Sequence, residues 1–276
     1  MILSDKIKKL IMSQEILSKL SVNHIDDLSS SRNEPDWLKD YRKNSLSIYD
    51  DMPIETSPLY NKYTDAKKMS PSKVSLSTST TQTIPKFLEK RLGELENEIC
   101  IIQIGTNIYK INLPDDLKSK GLVISSISDA IKNDSELVKK SLEASNSKED
   151  KFTALNNAAF NSGIFIHIPR NLIVEKPIHF MICLSDDGHS TISRNIIFAD
   201  ESSKATIVQE LYSPQIESQQ AYLELLNTNL AANAQLDITT LQMMDQHAVT
   251  FSTRRTDLAQ DAKVNWYSGL FGSMLS

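Results

Sequence analysis

The sequence predicts a mainly β protein, with an α-helical N-terminal region followed by a parallel β-helix in the C-terminal part of the chain. Between residues 162 and 276, short runs rich in Ile, Val, Leu and Thr alternate with Asn, Asp, Ser and Gly, a pattern typical of strands and turns. A repeat of 28 to 29 residues in this stretch, without a helix-length pattern between the strands, favours the coils of a solenoid. The repeated quartets lie at 177–180, 205–208, 234–237 and 262–265, at steps of 28, 29 and 28 residues. Polar turns precede them at 175–176, 202–203, 233 and 260–261.

The composition indicates a globular protein and argues against several classes of function. Of the 276 residues, 40% are hydrophobic and 24% are charged, and the net charge of −5 gives no electrostatic reason to expect a nucleic acid or a membrane as partner. The first 20 residues are amphipathic with scattered lysines, unlike a signal peptide, and no stretch approaches the roughly 18 apolar residues of a membrane span. Two cysteines, Cys100 and Cys183, fit a reducing compartment, so a cytoplasmic location is expected.

The N-terminal region, residues 1–69, is predicted to be helical. Apolar residues at three-to-four spacing predict a helix over residues 4–28. A second helix is expected over residues 34–49, with Pro35 in its first turn. Residues 52–63 carry prolines and aromatic residues and are expected to run extended over a surface.

Two further regions are predicted before the β-helix core at 162–276. Residues 70–84 are dominated by Ser and Thr with almost nothing to bury, so they are predicted to be a linker. Residues 85–161 are predicted to form an α+β connecting region with a hairpin, and Gly163 permits the sharp turn that follows it. The predicted elements of the connecting region are a short helix at 85–92, hairpin strands at 98–104 and 108–113, a strand at 121–124 and helices at 128–131, 135–142 and 151–160.

Several segments resemble a known family. Residues 150–178, DKFTALNNAAFNSGIFIHIPRNLIVEKPI, are similar to the start of the β-helix core in the SufB/SufD proteins of iron–sulfur cluster assembly. Upstream, EPDWL at 34–38 with Tyr41 and Arg42 resembles the helical N-terminal segment of the same family. Downstream, NWYSGLFGS at 265–273 is similar to its late β-helix turns. The pieces follow one another in the family's order.

The resemblance implies a right-handed parallel β-helix of the SufBD type and a scaffold function without catalysis. Family members pair, SufB with SufD, and bind the ATPase SufC, and the full-length complex handles the nascent iron–sulfur cluster, so no cofactor is assigned to this chain itself. The divergent N-terminal region and the scarcity of cysteine favour a SufD-like over a SufB-like chain, because SufB carries the sulfur-accepting cysteines. The alternatives are a SufB-like sibling, a β-helix carbohydrate-active enzyme and a non-functional fragment. The enzyme is disfavoured because an export signal is missing and the strand faces are apolar or amide-rich.

The resemblance also implies that the β-helix is incomplete at its C-terminal end. Family members continue with further coils, which carry the pairing surface and the proposed cluster-site residues, and with a C-terminal helical segment that docks SufC. This chain ends at Ser276, directly after the segment 265–273. It is therefore expected to be a truncated form, and no cluster-site residue is carried over to it.

Local motifs for catalysis or metal binding are lacking in the sequence. The seven glycines form no phosphate-binding loop, so ATP hydrolysis is expected to come from a partner. The chain contains neither H-E-x-x-H nor C-x-x-C, so no local motif for zinc or a cluster is present. Of the other polar residues, His167 and His247 are predicted to be ordinary strand or turn residues. Residues 253–255 are predicted to flank a solvated turn, and residues 34–37 to pack on the stack rather than dock a partner.

One strand carries a set of soft donor groups. His179, Met181 and Cys183 alternate with apolar residues and are therefore expected on one face of the strand. Imidazole, thioether and thiolate groups together suit a soft metal or a sulfur-transfer surface. The preferred interpretation is plainer: Cys183 is a small buried hydrophobe, Met181 fills a gap, and His179 is an ordinary polar residue.

Overall fold

The computed structural model describes residues 20–53, 84–185 and 189–273. The predicted extended segment at 52–63 and the predicted linker at 70–84 lie almost entirely outside these ranges, as does most of the predicted first helix. The helices are α1 (Val22–Ser31), α2 (Asp36–Asp51), α3 (Glu89–Glu94, preceded by a 3₁₀ turn at Lys86–Leu88), α4 (Asp115–Ser119), α5 (Ile127–Asn133), α6 (Ser135–Glu143) and α7 (Lys151–Ala159). The strands are β1 (Ile99–Ile104), β2 (Asn107–Asn112), β3 (Val123–Ser126), β4 (Ile164–Ile168), β5 (Ile178–Cys183), β6 (Thr191–Ala199), β7 (Lys204–Tyr212), β8 (Gln220–Leu230), β9 (Gln235–Met243), β10 (Ala248–Leu258) and β11 (Lys263–Leu270).

The strands form two sheets that the chain visits alternately. The first sheet has the order β11-β9-β7-β5-β1-β2 and the second the order β10-β8-β6-β4-β3. From β4 to β11 each strand pairs in parallel with the strand two positions later or earlier in the chain, so neighbouring coils stack within each sheet. This arrangement is a parallel β-helix of about three turns preceded by helices, so the predicted fold class is confirmed. The right-handed sense and the predicted domain boundaries stay predictions.

The predicted repeat lies in neighbouring strands of the first sheet, but the pairing differs from the spacing of the quartets. Ile178 pairs with Ile207, Ile207 with Ile238 and Ile238 with Trp266, which are steps of 29, 31 and 28 residues. The first step is therefore one residue longer than the sequence spacing predicts, and the second is two residues longer. A shift of one residue moves every side chain of a strand to the opposite face.

The polar turns between the sheets are confirmed at three corners. Ser202, Asn233 and Asp261 adopt left-handed backbone conformations, with φ of 59°, 61° and 57°, a region in which Asn and Asp are enriched among non-glycine residues. The corners also stack, because the Ser202 N–H donates to the carbonyl of Ala232 and the Asn233 N–H to that of Gln260, each at 3.0 Å. Short polar turns thus close the backbone hydrogen bonding at each coil.

The interior of the β-helix is the larger apolar core. In β5 the side chains of Ile178, Phe180 and Ile182 point inward and meet the second sheet, as the alternation predicted. Across the interior, Tyr222 and Leu226 of β8 belong to the same cluster.

Strand β10 was not predicted. Residues 253–255 were expected to flank a solvated turn, which is wrong, because they lie inside this strand and pair with β8. The inward residues Thr250, Ser252 and Arg254 are polar, and the outward residues Val249 and Phe251 are the ones that pack on the helices. A polar interior face hides the pattern by which a strand is normally recognised.

Helices cover the outer face of the second sheet. Leu38 and Leu46 of α2 and Leu155 of α7 pack with Phe165 of β4 and Ile196 of β6 in one apolar cluster. All five are almost completely buried. The helical region and the β-helix therefore share a second core.

Helix α4 was not predicted, and the first two predicted helices need correction, whereas the others begin and end close to the predicted positions. Residues 20 and 21 are not helical: Ser21 caps α1 through a hydrogen bond to its side chain from the His24 N–H, so the helix predicted over 4–28 is not continuous there. It ends at Ser31 rather than at Leu28. Pro35 is the N-cap of α2 rather than part of its first turn.

The predicted hairpin is confirmed and forms one end of the first sheet. Strands β1 and β2 pair in antiparallel fashion around Gly105, whose φ is 58°. The other edge of β1 pairs in parallel with β5, so the hairpin caps the first coil.

In the part of the chain that the structure describes, no helix is long and apolar enough to cross a membrane.

Candidate functional site on the outer face of the first sheet

The three soft donor groups share one face of β5, as predicted. Met181 and Cys183 are completely buried on the outer face of the first sheet. They pack there with Cys100 of β1 and with Leu88 and Leu95, which lie in the segment 85–95 that covers this face. The Cys183 Sγ donates to the carbonyl of Leu184 at 3.3 Å. These are the contacts of packed hydrophobic side chains, and a ligand-binding role for this face stays a prediction.

His179, the third member of the set, belongs to a buried ionic cluster centred on Glu210 of β7. Its Nδ1 lies 3.3 Å from the Glu210 Oε1. Arg91 of α3 donates to both carboxylate oxygens of Glu210, from Nε at 2.8 Å and from Nη2 at 2.6 Å. The Tyr212 hydroxyl donates to Oε2 at 2.9 Å. Only 2% of the Glu210 side chain is exposed, whereas 30% of the Arg91 side chain is exposed, so a buried carboxylate is paired with a guanidinium at the solvent boundary.

The cluster shifts the ionisation of its members. Burial would by itself raise the pKa of Glu210, but the hydrogen bonds from His179, Arg91 and Tyr212 outweigh it and lower the pKa to about 2. The pKa of Arg91 is raised, chiefly by its hydrogen bond to Glu210. The pKa of Tyr212 is raised by burial and by the neighbouring carboxylate. Glu210 is therefore ionised and paired throughout the neutral range.

The Glu210→Gln substitution is expected to lower the free energy of unfolding by about 1–3 kcal/mol at pH 7, because the guanidinium of Arg91 loses its charge partner. The folded pKa lies below that of an unfolded glutamate, so the stabilisation is present above about pH 4.5 and is lost as the pH falls towards 2. Urea denaturation of both proteins between pH 7 and pH 3 measures the difference.

The matched control is Glu201→Gln, which removes the exposed partner of Arg170. That pair is solvated, so its loss is expected to change stability by less than about 0.5 kcal/mol. A Glu210→Gln protein as stable as wild type at pH 7, or a difference that does not shrink at acid pH, would contradict the role of the ionic cluster.

A second polar group lies in the interior of the β-helix, around Glu224 of β8. Oε1 of its carboxylate accepts hydrogen bonds from Asn195 Nδ2 at 2.6 Å, from Tyr222 Oη at 3.1 Å and from Gln209 Nε2, and Oε2 accepts one from Ser252 Oγ at 2.7 Å. The residue is 3% exposed. These neutral donors from four strands tie the two sheets together across the interior.

The polar interior continues to the edge formed by β10 and β11. There, Arg254 donates to the hydroxyls of Thr240 at 3.0 Å and Ser268 at 2.9 Å, and lies 5.1 Å from the ring of Trp266. A cavity of about 280 Å³ opens beside these side chains. Within residues 20–53, 84–185 and 189–273, no three His, Cys, Asp or Glu side chains are arranged to hold a metal ion.

The segment 150–178 owes its distinctive residues to packing. Asp150 caps α7, because its Oδ1 accepts hydrogen bonds from the N–H groups of Phe152 and Thr153 at 2.8 and 2.9 Å. The Lys151 Nζ donates to the carbonyls at the end of α2, those of Tyr49 at 2.7 Å and Met52 at 2.6 Å. Asp150 thus starts α7, and Lys151 fixes that helix against the end of α2.

Two asparagines of α7 bind the second sheet. The Asn156 Nδ2 donates to the carbonyl of Ser193 at 2.9 Å, and the Asn157 Oδ1 accepts from the guanidinium of Arg194 at 2.7 Å. Arg194 is fully buried between α7, α6 and β6, and desolvation lowers its pKa to about 10. A second hydrogen bond joins it to the Ser145 hydroxyl at 2.8 Å.

The EPDWL segment packs into the helical layer that covers the second sheet, and its predicted packing on the stack instead of a docking role stays a prediction. Glu34 forms two hydrogen bonds with Arg42, at 2.8 and 2.7 Å, and both side chains are almost completely buried. The Arg42 guanidinium lies 3.8 Å from the centroid of the Phe160 ring, at the end of α7. Trp37 packs against the shared apolar cluster.

Comparison with known families matches both halves of this architecture. A profile described as the SufBD protein N-terminal region matches residues 31–180. A second, described as the SUF system FeS cluster assembly SufBD core domain, matches residues 182–276. The chain belongs to the SufBD family.

Individual SufBD relatives are distant but match along most of the chain. An iron–sulfur cluster assembly SufBD family protein of Staphylococcus aureus strain USA300 is 24% identical over 269 residues, which cover 93% of this chain and 58% of the relative. A protein of the same description from Staphylococcus saprophyticus is 23% identical over the same shares. The chain therefore spans somewhat more than half the length of the curated relatives that it matches.

Sequence reasoning missed Glu210, Arg91 and Glu224. Glu210 was missed because the quartet spacing places it level with Ile182, whose side chain points inward, whereas it pairs with Met181 on the outer face. Glu224 lies in a strand whose other residues are mostly apolar. A single acidic residue inside each apolar run was the available signal.

Proposed function

We propose that this SufBD protein is a non-catalytic scaffold subunit of SUF iron–sulfur cluster assembly, SufD-like in type, that pairs with a SufB-like protein and a SufC-like ATPase in the cytoplasm. The observation that carries the proposal is the match of the N-terminal and core profiles in the family's order, at 31–180 and 182–276. Iron and sulfur are cargo of the assembled complex in this proposal.

Three features support this function. The sequence has no phosphate-binding loop, so ATP hydrolysis is expected to come from a partner. Its buried charged residues, among them Glu34, Arg42 and Glu210, are engaged in bonds that join elements of the fold. Its two cysteines are buried thiols, which favours the SufD-like type over one that accepts sulfur on exposed cysteines, and which fits a reducing compartment.

The test is co-purification. The resemblance assigns the pairing surface and the SufC-docking segment to further coils and a helical segment of the family, and the chain covers 58% of its relative. The tagged chain is therefore extended by that part of a SufBD relative. The extended chain is co-expressed with a SufB-like protein and a SufC-like ATPase, and in a parallel experiment with a SufD-like protein in place of the SufB-like one. We expect the SufB-like protein to be retained with the chain through affinity and size-exclusion steps, and the SufD-like protein to be lost. Retention of the SufD-like protein instead would assign the chain to the SufB type.

The control for this experiment is the Gly163→Ala variant, whose β-helix is expected not to form. It should recover neither partner. If the extended wild-type chain, folded by circular dichroism, also recovers neither the SufB-like protein nor the ATPase, the scaffold function is wrong for this chain.

A further inference from the structure

The segment 85–95, here called the strap, lies over both cysteines of the chain. It comprises the 3₁₀ turn, helix α3 and Leu95. Leu88 and Leu95 are fully buried and pack with Cys100 and Cys183 on the outer face of the first sheet. The strap therefore separates the two thiols from solvent.

The strap has little stability of its own. Helix α3 is six residues long, well below the roughly 12–15 residues at which isolated helices become marginally stable in water. It contains Gly93, which lowers helix propensity. A Cβ at this position would meet no atom within 4 Å, so packing does not require glycine there. Tertiary contacts, rather than helix formation, hold the strap in place.

A small set of side chains makes those contacts. Apart from the buried leucines, Arg91 binds the carboxylate of Glu210 at 2.6 and 2.8 Å, and the rings of Phe87 and Tyr212 lie 6.3 Å apart. The Arg91 side chain is 30% exposed and Phe87 is 51% exposed, so both anchors lie at the solvent boundary. Segments with few buried contacts are those that open locally while the rest of a protein stays folded.

The β-helix does not need the strap for its own core. The interior cluster is built from inward residues of both sheets, such as Phe180 and Ile207 of the first sheet. The strap contacts the opposite, outward face of that sheet, at Met181 and Cys183. Its removal would leave the interior cluster intact.

We propose that the strap detaches from the first sheet as a unit while the β-helix stays folded, and that this opening controls access to the thiols of Cys100 and Cys183. Detachment uncovers the face that carries Cys183, Met181 and His179, so a thiol-reactive reagent or a thiophilic ligand reaches these groups only in the open state. The proposal concerns this chain alone and does not depend on the scaffold function.

The test measures thiol labelling of the 276-residue protein by N-ethylmaleimide, with each cysteine followed by peptide mass spectrometry. Because the chain has two cysteines, each labelled peptide has one origin. Labelling through strap opening is expected to depend weakly on urea, since little surface is exposed. Labelling through global unfolding would follow the steep urea dependence of the whole fold.

Three variants make the test specific. Arg91→Ala is expected to raise the labelling rates about tenfold or more, the factor that corresponds to loss of a charge-assisted hydrogen bond. Gly93→Ala is expected to slow labelling by up to about fivefold, because alanine favours the helical state of the strap. Arg170→Ala removes a comparable but exposed ion pair with Glu201 and is expected to leave both rates unchanged.

Two results would overturn the proposal. One is equal labelling rates in wild type and Arg91→Ala. The other is a urea dependence of labelling that equals the dependence of global unfolding followed by circular dichroism, since the thiols would then be reached only when the whole fold is lost.

Discussion

Replacing Gly163 by alanine is expected to destabilise the protein by at least about 4 kcal/mol and to prevent formation of the β-helix. Gly163 adopts a φ of 148°, which L side chains rarely adopt. A Cβ at this position would lie 1.9 Å from the carbonyl oxygen of Arg194 and 2.6 Å from its carbonyl carbon. Moving these atoms away would break the hydrogen bond that the Arg194 N–H donates to the carbonyl of Ser162 at 2.9 Å. The measurement is urea denaturation of the purified variant, followed by circular dichroism.

The matched control for this substitution is Gly93→Ala. A Cβ at Gly93 meets no atom within 4 Å, so alanine there is expected to keep or slightly raise stability. If the Gly163→Ala protein unfolds at the same urea concentration as wild type, the close approach of residue 163 to β6 is wrong, and with it the described start of the β-helix.

Replacing Glu34 by glutamine is expected to lower the free energy of unfolding by about 3–5 kcal/mol, because it leaves the buried guanidinium of Arg42 without a counter-charge. The side chain of Arg42 has no exposed surface, and that of Glu34 is 4% exposed. Arg42 also donates to the carbonyl of Ala158 at 3.2 Å, so the loss loosens the contact between α2 and α7. The helices covering the second sheet are therefore expected to detach at lower urea concentration.

Fluorescence can localise this effect, since the chain has two tryptophans, Trp37 on α2 and Trp266 on β11. In a Trp266→Phe background, the Trp37 signal reports the helical layer, and Glu34→Gln is expected to move its transition to lower urea. Asp116→Asn, which removes an exposed partner of Lys120, is the control and should leave the transition in place. A Glu34→Gln protein that behaves like this control would show that the buried pair does not hold the layers together.

A double substitution separates the charge from the packing. Glu34→Gln combined with Arg42→Met removes both charges of the pair, and we expect it to recover part of the lost stability, because the desolvated guanidinium is gone. Recovery would be incomplete, since the contact of Arg42 with Phe160 is also lost.

Much of the fold could be predicted from local patterns. Alternation in β5 placed Ile178, Phe180 and Ile182 on one face and His179 with Met181 and Cys183 on the other, as observed. Polar residues at the corners indicated the turns. Strand β10 could not be predicted, because its inward side chains are polar and a strand is recognised by the apolar face that it buries.

The candidate site was less accessible to sequence reasoning. The face with His179 was identified, but its centre, Glu210, and the covering residue, Arg91, were not. Arg91 lies more than one hundred residues before Glu210 in the chain, and the contact between them depends on how the strap packs on the sheet. No local pattern encodes such a pair.

The amino-acid sequence by itself determined that this chain forms stacked strands with polar corners, covered by helices, because strand alternation and turn chemistry act over a few residues. Only the tertiary structure decided which residues face each other. The quartet spacing set Glu210 beside Ile182, in the interior, whereas the parallel pairing sets it beside Met181, outside and within reach of Arg91 and His179. The physical reason is that side chains alternate along a strand, so a register difference of one residue, which packing alone settles, exchanges the interior for the surface.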